Sequence, residues 1–503
     1  MAVPQARTDG QKRRAARTRF SVSLIFALLV SFTMLVGVPL LLPVDAGDAI
    51  THANARLQSA LAGDFYPATH RDDTTVLLID DDSVADTGQG WPLPYRTHAR
   101  WLSVIGNAYK PRAVFVDITF TAPRQDDTLP RFIQALCQLR DRGIPVFLAA
   151  LPGKDGKLTL RPGLESPPGE LPCFKAVSVD YDPDGVDRLV WNYPLWREVP
   201  GSDGAGGTER TRSAALAMAE DVAGLRLTYE PNPMALVWGV RSPDVRHYAT
   251  WCRPYVGMAE LLPARLRAAL SEGAEALKPI CPYNHAITMR ELKPSTVEEE
   301  LRLRERLDGR IVLLGTWMAG TNDMLPSPVH GHIPGVFMHA MALDNLLTYG
   351  SKYKRALEWQ LAWNTLVPLG FIVVALVHVV LARRDLSEAL GWAPLRIRCP
   401  AWARPFIKRA LRARDRAAKV GGVLGVTVLV LGSAWRIGYS APLIMLFVVA
   451  AQRLLDIGML PLVNLAIMAL AAEWLGWTDK LTDRYLGRTA EPSSSVSSRN
   501  ALE

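Results

Sequence analysis

The sequence lacks the short signatures of the common catalytic sites. It contains no nucleophile elbow, no P-loop and no glycine-rich dinucleotide-binding fingerprint. Ser103, Ser213 and the other scattered serines have no recognisable base at a catalytic spacing. We therefore expect no catalytic residues and no cofactor, and the sequence predicts that this protein is not an enzyme.

A basic stripe with interleaved aromatic residues, typical of nucleic-acid binding, is also missing. The formal net charge is +8, but the basic residues concentrate in two blocks. Residues 1–19 carry six basic residues and one acidic residue, and residues 382–419 carry eleven and three. Each block adjoins an apolar run, which is the positive-inside pattern of membrane proteins. The charge pattern thus predicts a lipid bilayer as partner and no nucleic acid.

Two uncharged apolar runs predict membrane helices on either side of a large central segment. The run at 20–42 exceeds the about 20 residues that a helix needs to cross a bilayer, and it is longer than the core of a cleaved signal peptide. We expect a cytoplasmic N-terminus at 1–19, an uncleaved transmembrane helix at 20–43 and a second one at 361–381. Segment 44–360 then lies outside the cytoplasm, and the basic loop 382–419 lies inside.

A further apolar region, 420–476, is interrupted by Arg436, Arg453 and Asp456. Either two or three membrane helices fit it, and the two readings place the C-terminus on opposite sides. Arg453 and Asp456 could pair within the membrane, but a turn or an interfacial end fits their spacing better. The polar tail 477–503 is predicted to be disordered, and no catalytic domain fits after the last membrane segment.

The central segment alternates buried-strand patterns with helical ones. Such alternation predicts an α/β domain with a mostly parallel sheet and helices on both faces. Loops are expected at 152–172 and 198–209, and 228–300 has no clean period, as in an insertion or a peripheral antiparallel part. The predicted strands are 74–80, 113–119, 145–151 and 311–315, and the predicted helices are 95–108, 126–142 and 335–347.

Four patterns in this segment carry a family resemblance. They are Asp80-Asp-Asp-Ser83 followed by Gly90-Trp-Pro-Leu-Pro-Tyr-Arg96; Val116-Asp-Ile-Thr-Phe120 followed by Asp126-Asp127; Asp182-Pro-Asp-Gly-Val-Asp-Arg188; and Gly309-Arg-Ile-Val-Leu-Leu-Gly315 running on to Asp323 and Pro334-Gly-Val-Phe-Met-His-Ala340. In this order, across about residues 70–350, they resemble the CHASE2 family of bacterial extracytoplasmic sensor domains. One helix before the domain and several after it are similar to that family too.

The resemblance implies a multi-pass sensor or receptor in the bacterial inner membrane, with the large domain in the periplasm. Its signal, a small molecule or a protein, is unknown, and related domains imply a homodimer. Such domains usually precede a catalytic output domain, which this sequence does not contain, so we expect a separate output protein. A scaffold subunit of a membrane complex, without ligand sensing, is the alternative.

Carboxylates at strand ends form the candidate ligand site. In open α/β sheets ligands bind outside the carboxyl ends of the strands. Asp80 closes one predicted strand with Asp82 nearby, Asp117 lies late in the next, and Asp323 follows a third. These residues, with Arg96 and His339 from the family patterns, are the predicted site for a cation or polar ligand. The alternative is that the aspartates cap helices and that His339 packs or caps.

Two further patterns resemble metal sites, but neither supports a bound metal. His330, His332 and His339 have no acidic or cysteine ligand at a motif spacing, so we predict no metal. The Asp182 segment resembles the start of a calcium loop, but Tyr193 occupies the position where an EF-hand needs glutamate. A tight turn at Gly185 with a local Asp–Arg pair is the better interpretation.

Four of the five cysteines lie in the predicted extracytoplasmic segment, where disulfides form. Cys252 with Cys281 would close an irregular region, and Cys137 with Cys173 is the other candidate pair, although free thiols fit as well. Cys399 lies in the basic loop. That loop also carries Trp392, Trp402 and Phe406, which favours either an amphipathic element on the anionic leaflet or a docking surface for a cytoplasmic partner.

Overall fold

The computed structural model describes one of the two compact units of the chain, Ala55–Leu357 with Leu455–Met459. Within 55–356 it omits 57, 61, 154–156, 165–168, 170, 186, 201–207, 243–251, 256, 258–277 and 319–322, and beyond that stretch it describes only positions 22, 25, 452, 454, 456 and 458. The predicted membrane segments, both basic blocks and the polar tail otherwise lie outside the described residues. Among the described residues, no helix has the length and apolar character needed to cross a membrane.

A mostly parallel sheet forms the centre of the domain. Its strands follow the order β10–β1–β11–β2–β3–β5, and all of these neighbours pair in parallel. A short strand, β4 (Leu158–Thr159), pairs antiparallel with the end of β3. The parallel strands are β1 (Thr74–Asp80), β2 (Ala113–Val116), β3 (Val146–Pro152), β5 (Lys175–Ser178), β10 (His285–Thr288) and β11 (Ile311–Trp317).

Three two-stranded antiparallel sheets accompany the parallel one among the described residues. They pair β6 with β9, β7 with β8, and β12 with β13. Their bounds are β6 (Asn192–Tyr193), β7 (Trp196–Pro200), β8 (Thr208–Arg212), β9 (Met234–Ala235), β12 (Met324–Ser327) and β13 (Gly331–Pro334).

Helices cover both faces of the parallel sheet. One apolar core joins the sheet to α4 and α6, and a second core joins the opposite face to α2, α3 and α5. Neighbouring residues of β1 alternate between the two cores, Val76 and Leu78 in one and Leu77 and Ile79 in the other, so the strand is a continuous apolar run. The helices are α1 (Asp81–Ala85), α2 (Tyr95–Val104), α3 (Leu129–Asp141), α4 (Ala214–Asp221), α5 (Val297–Leu307) and α6 (Val336–Tyr349).

This arrangement confirms the predicted α/β class with a mostly parallel sheet. Helix α6 is apolar around most of its circumference, and every residue from Val336 to Leu346 is buried. It lies so close to β11 that a Cβ atom at Gly315 would come within 2.5 Å of the Val336 Cβ. Glycine at 315 therefore permits the close approach of strand and helix.

Three local predictions hold only in part. The expected loop 198–209 includes parts of the β7–β8 hairpin, where Arg210 pairs with Glu198 and stacks on Tyr229, so that the strands carry charges rather than an apolar pattern. Segment 228–300 contributes the antiparallel strand β9, but also the parallel edge strand β10. The tight turn at Gly185 is present, with the Arg188 N–H donating to the Asp184 carbonyl at 3.1 Å, whereas Asp182 pairs across 2.9 Å with Arg197, outside the turn.

Both candidate cysteine pairs are bonded, Cys137 with Cys173 and Cys252 with Cys281. The first bond joins α3 to the segment before β5. The second closes a stretch of 29 residues whose interior lies largely outside the described residues.

The chain after α6 is bonded to Asp456 and Gly458, which lie far along the sequence. The Arg355 N–H donates to the Asp456 carbonyl at 3.0 Å, and the Gly458 N–H donates to the Arg355 carbonyl at 2.9 Å. The Lys354 ammonium lies 3.1 Å from a carboxylate oxygen of Asp456. Asp456 therefore pairs with Lys354, whereas its suggested partner Arg453 lies outside the described residues.

Candidate functional site

A cavity of about 670 Å³ opens at the carboxyl edge of the parallel sheet. Its walls come from the chain after β2, the end of β3, the chain after β11, and the first turns of α2 and α6. This position outside the carboxyl ends of the strands is where open α/β folds bind ligands, and the volume is in the range of small-molecule sites.

Two aspartates face this cavity. Asp323 is held by the Thr316 hydroxyl, which donates to Oδ2 at 2.7 Å, and its carbonyl accepts from the Gly335 N–H at 2.7 Å. A Cβ atom at position 335 would lie 2.8 Å from an Asp323 carboxylate oxygen, so glycine leaves room for that side chain. The Asp117 side chain is only 9% exposed, and no described residue donates a hydrogen bond to its carboxyl group.

The two carboxyl groups hold protons more tightly than exposed ones do. Burial, and then the charge of Asp323, raise the pKa of Asp117 well above its usual value. Burial raises the pKa of Asp323 to about 6, although the hydrogen bond from Thr316 acts in the opposite direction. Ionisation of both buried carboxyl groups would place two like charges next to each other, which costs free energy. The pair therefore retains a proton near neutral pH.

His339 lies beside this pair as a neutral ring. Its Nδ1 is 2.8 Å from the Tyr193 hydroxyl, whose oxygen accepts from the Ala215 N–H at 3.2 Å. The other ring nitrogen, Nε2, is 3.7 Å from Oδ1 of Asp117. Burial lowers the pKa of His339 to about 3 and raises that of Tyr193 far above its usual value. Neither residue is charged at physiological pH.

The other end of the cavity is aromatic and carries one cation. Arg124 lies over the Tyr95 ring, 4.0 Å from its centroid, and Phe120 and Trp91 complete this wall. The Nε and Nη2 atoms of Arg124 are buried and have no hydrogen-bond acceptor in the described part of the chain. His98 is 2% exposed, its Nδ1 likewise has no partner among the described residues, and burial followed by the charge of Arg124 lowers its pKa to about 4.

Of the six predicted site residues, the fold brings three together at the cavity: Asp117, Asp323 and His339. The other three do not line it. Asp80 caps α1 by accepting from the Ser83 N–H at 2.8 Å, and Asp82 is an exposed partner of Arg290 at 3.5 Å. Arg96 is exposed on α2, where its backbone N–H donates to Thr128.

The sequence analysis missed Arg124, Tyr193 and Thr316. Thr316 follows directly on the predicted strand 311–315, so the rule that ligands meet strand ends could have selected it. Arg124 lies in the loop after β2 and Tyr193 ends the two-residue strand β6, and neither periodicity nor motif marks them. Asp126, part of the family pattern, instead accepts from the Tyr95 N–H at 2.6 Å and from Thr128.

The three histidines of the metal-like pattern have separate environments. The His330 ring is buried with Nδ1 3.2 Å from the Ile280 carbonyl, and His332 is exposed on β13. Within the described ranges, no group of three or more histidine, cysteine, aspartate or glutamate side chains is arranged to hold a metal ion.

Comparison with known proteins identifies one family. A family model described as the CHASE2 domain matches residues 28–381, which is more than half of the chain and includes the cavity and both disulfides. CHASE2 is a family of sensor-type extracellular domains. Neither the curated proteins nor the solved structures contain a significant match to this chain.

Proposed function

Because the chain belongs to the CHASE2 domain family, we propose that it is a membrane-anchored sensor that detects a signal in the cavity beside Asp117 and Asp323. The proposal assigns no catalytic step to the chain. The cavity supports it through its position at the carboxyl edge of the sheet and through polar groups that lack partners within the described domain.

Helix α6 is the observation that carries this proposal. Its first turn lines the cavity with Met338 and His339, next to Gly335. Beyond its end and the short 3-10 helix Gly350–Lys352, Lys354 and Arg355 bond to Asp456 and Gly458. A buried helix moves as a rigid body, so a displacement at the cavity would reach the 456–458 turn.

That turn joins two of the predicted membrane runs. If the domain is extracytoplasmic, residues 456–458 are on the same side, because they are bonded to it. This favours two membrane helices in 420–476, with the C-terminus in the cytoplasm, over three. We place the protein in the bacterial inner membrane, with residues 1–19 and 382–419 inside and the large domain in the periplasm.

The remaining partners in this proposal are those that the sequence and the family lead us to expect. The lipid bilayer holds the membrane segments, and no nucleic acid is involved. A separate output protein, docked on the basic loop 382–419 with its tryptophans, would read the shift, and a homodimer would let two domains move against each other.

Hydrogen–deuterium exchange on the full chain in lipid nanodiscs tests the transmission. Leu151 lines the cavity, so Leu151→Trp fills part of it without any ligand. Leu171→Trp is the matched control, since Leu171 is 78% exposed and does not line the cavity. We expect Leu151→Trp, but not Leu171→Trp, to change exchange in peptides that cover 350–356 and 454–458. A change confined to the cavity walls would contradict the sensor proposal and favour a scaffold.

A further inference from the structure

The cavity presents two unsatisfied groups, one acidic and one cationic. The carboxyl group of Asp117 receives no hydrogen bond from any described residue, and its nearest cationic candidate, His339, is neutral. Arg124 forms no ion pair with a described carboxylate, and two of its nitrogen atoms have no acceptor there. Buried polar groups in native proteins almost always have partners. A ligand that satisfies both groups must carry a donor at one end and an acceptor at the other.

The rest of the cavity wall limits the body of the ligand. It includes Phe120, Leu151, Leu325 and Met338, with Trp91 at the rim. An apolar wall with one acidic pair and one guanidinium does not suit a polyphosphate or a sugar acid, whose charges and hydroxyl groups would lack partners. It suits a compact molecule with one positive group, one negative group and an apolar body. His98, buried with a free Nδ1 among the described residues, adds one hydrogen-bonding position at the aromatic end.

We propose that the cavity binds a small zwitterion with an apolar body, of the amino-acid class. The ammonium group lies between Asp117 and Asp323, the carboxylate lies on Arg124, and the apolar body contacts the wall of Phe120 and Met338. This inference rests on the sensor function proposed above and names its ligand class.

The acid pair predicts that binding of the ligand is coupled to the release of protons. An ammonium group stabilises both carboxylates in their ionised form, so it displaces the proton that the pair retains. The other titratable groups facing the pair are His339, Tyr193 and Tyr181, and all three are neutral at physiological pH. Binding should therefore release protons, and affinity should rise with pH across the range in which the pair titrates.

Isothermal titration of the full chain in nanodiscs tests the ligand class. The probes are L-phenylalanine, L-leucine and 6-aminohexanoate, with phenethylamine and 3-phenylpropionate as analogues that each lack one charge. We expect at least one zwitterion to bind, and the matching single-charge analogues to bind about tenfold more weakly or worse. When the titration is repeated in two buffers of different ionisation enthalpy, the measured binding enthalpies should differ. The sign of that difference should be the one expected when binding releases protons to the buffer.

Variants locate the two ends of the ligand. Asp117→Asn and Arg124→Gln should each weaken zwitterion binding by about tenfold or more, because each removes one charged partner. Asp82→Asn and Arg96→Gln are matched controls outside the cavity and should bind like the parent. If Asp117→Asn lowers the unfolding temperature, Asp323→Asn serves as the second test of the acidic end.

Two outcomes would overturn the inference. One is that none of the three zwitterions binds. The other is that phenethylamine or 3-phenylpropionate alone binds as tightly as the zwitterion, with Arg124→Gln or Asp117→Asn without effect. Either result leaves the exchange experiment with Leu151→Trp intact, since that experiment needs no ligand, so the ligand class and the sensor function fail separately.

Discussion

The Nε2 atom of His339 lies 3.7 Å from Oδ1 of Asp117, beyond hydrogen-bond distance. The pair is therefore not a buried ion pair. His339 is neutral because its ring is buried, and Asp117 keeps its proton because it is buried beside Asp323. Tyr193 fixes the ring from the other side, so the position of His339 at the cavity depends on one phenolic hydroxyl.

Tyr193→Phe tests that dependence. The change leaves the Ala215 N–H and the His339 ring without their shared buried partner, and unsatisfied groups of this kind cost about 1–3 kcal/mol each. We expect the free energy of unfolding to fall by at least about 1 kcal/mol, measured by urea denaturation followed by tryptophan fluorescence. Tyr229→Phe, which removes a more exposed hydroxyl bonded to Glu198, should change the free energy of unfolding much less than Tyr193→Phe does. Equal effects would mean that Tyr193 does not hold the site.

The acid pair predicts a particular pH dependence. A carboxyl group whose pKa is raised in the folded state binds protons more tightly there than in the unfolded chain. Its stabilising contribution is complete below the unfolded pKa of about 4 and is lost as pH rises through the folded value, about 6 for Asp323. Asp323→Asn removes this loss. The stability of the variant relative to the parent should therefore rise between pH 4 and pH 7.

The stability of the variant is compared with that of the parent at each pH, because the buried histidines give the fold the opposite pH dependence. His98, His330 and His339 have lowered pKa values, so they destabilise the fold as pH falls, equally in parent and variant. Thermal unfolding temperatures measured at several pH values give the difference directly. Asp82→Asn, at an exposed position, is the control variant. If the difference for Asp323→Asn rises with pH no more than the difference for Asp82→Asn, a raised pKa at Asp323 is excluded.

The sequence predicts the sheet better than the site, for a physical reason. Strands β1, β3 and β11 are buried on both faces, so their apolar runs are visible without knowledge of the fold. The carboxyl-end rule then selects Asp117 and Asp323 together with Asp80, because all three follow strands. Only the local backbone distinguishes Asp80 from the other two. The chain after β1 continues at once into α1, and Asp80 is the N-cap of that helix.

The aromatic end of the cavity could not be predicted from sequence in the same way. Arg124 and Tyr95 meet because Asp126 accepts from the Tyr95 N–H and draws the loop after β2 to the start of α2. The link from α6 to Asp456 joins residues about 100 positions apart by backbone hydrogen bonds, which any side chains could make. No residue pattern encodes such a contact.

Alkylation and mass measurement test the cysteine pairing. With both disulfides formed, Cys399 is the remaining cysteine, so the unreduced, denatured chain should take up one alkyl group and the reduced chain five. Two or more adducts without reductant would contradict the pairing. Because the bonds close segments of 36 and 29 residues, replacing either pair by serine should cost roughly 4 kcal/mol of stability in the chain-entropy account.

The proposed membrane topology, to which the contact between Arg355 and Asp456 belongs, can be tested with the protein's own Cys399. Cys399 lies in the basic loop that we place in the cytoplasm, whereas the four bonded cysteines do not react with maleimides. An impermeant maleimide should therefore leave the parent protein unlabelled on intact spheroplasts and label it after permeabilisation.

Leu454→Cys, introduced together with Cys399→Ser, tests on which side of the membrane the residues next to Asp456 lie. Leu454 is 81% exposed and adjoins the segment bonded to the domain, so two membrane helices in 420–476 predict that it is labelled on intact spheroplasts. Val297→Cys, at an exposed position of α5, is the external control in the same background. Protection of Leu454→Cys together with labelling of Val297→Cys would place the turn and the domain on opposite sides of the membrane. The hydrogen bonds from Arg355 to Asp456 and Gly458 could then not form in the cell, and the proposed route from α6 to the membrane segments would fail with them.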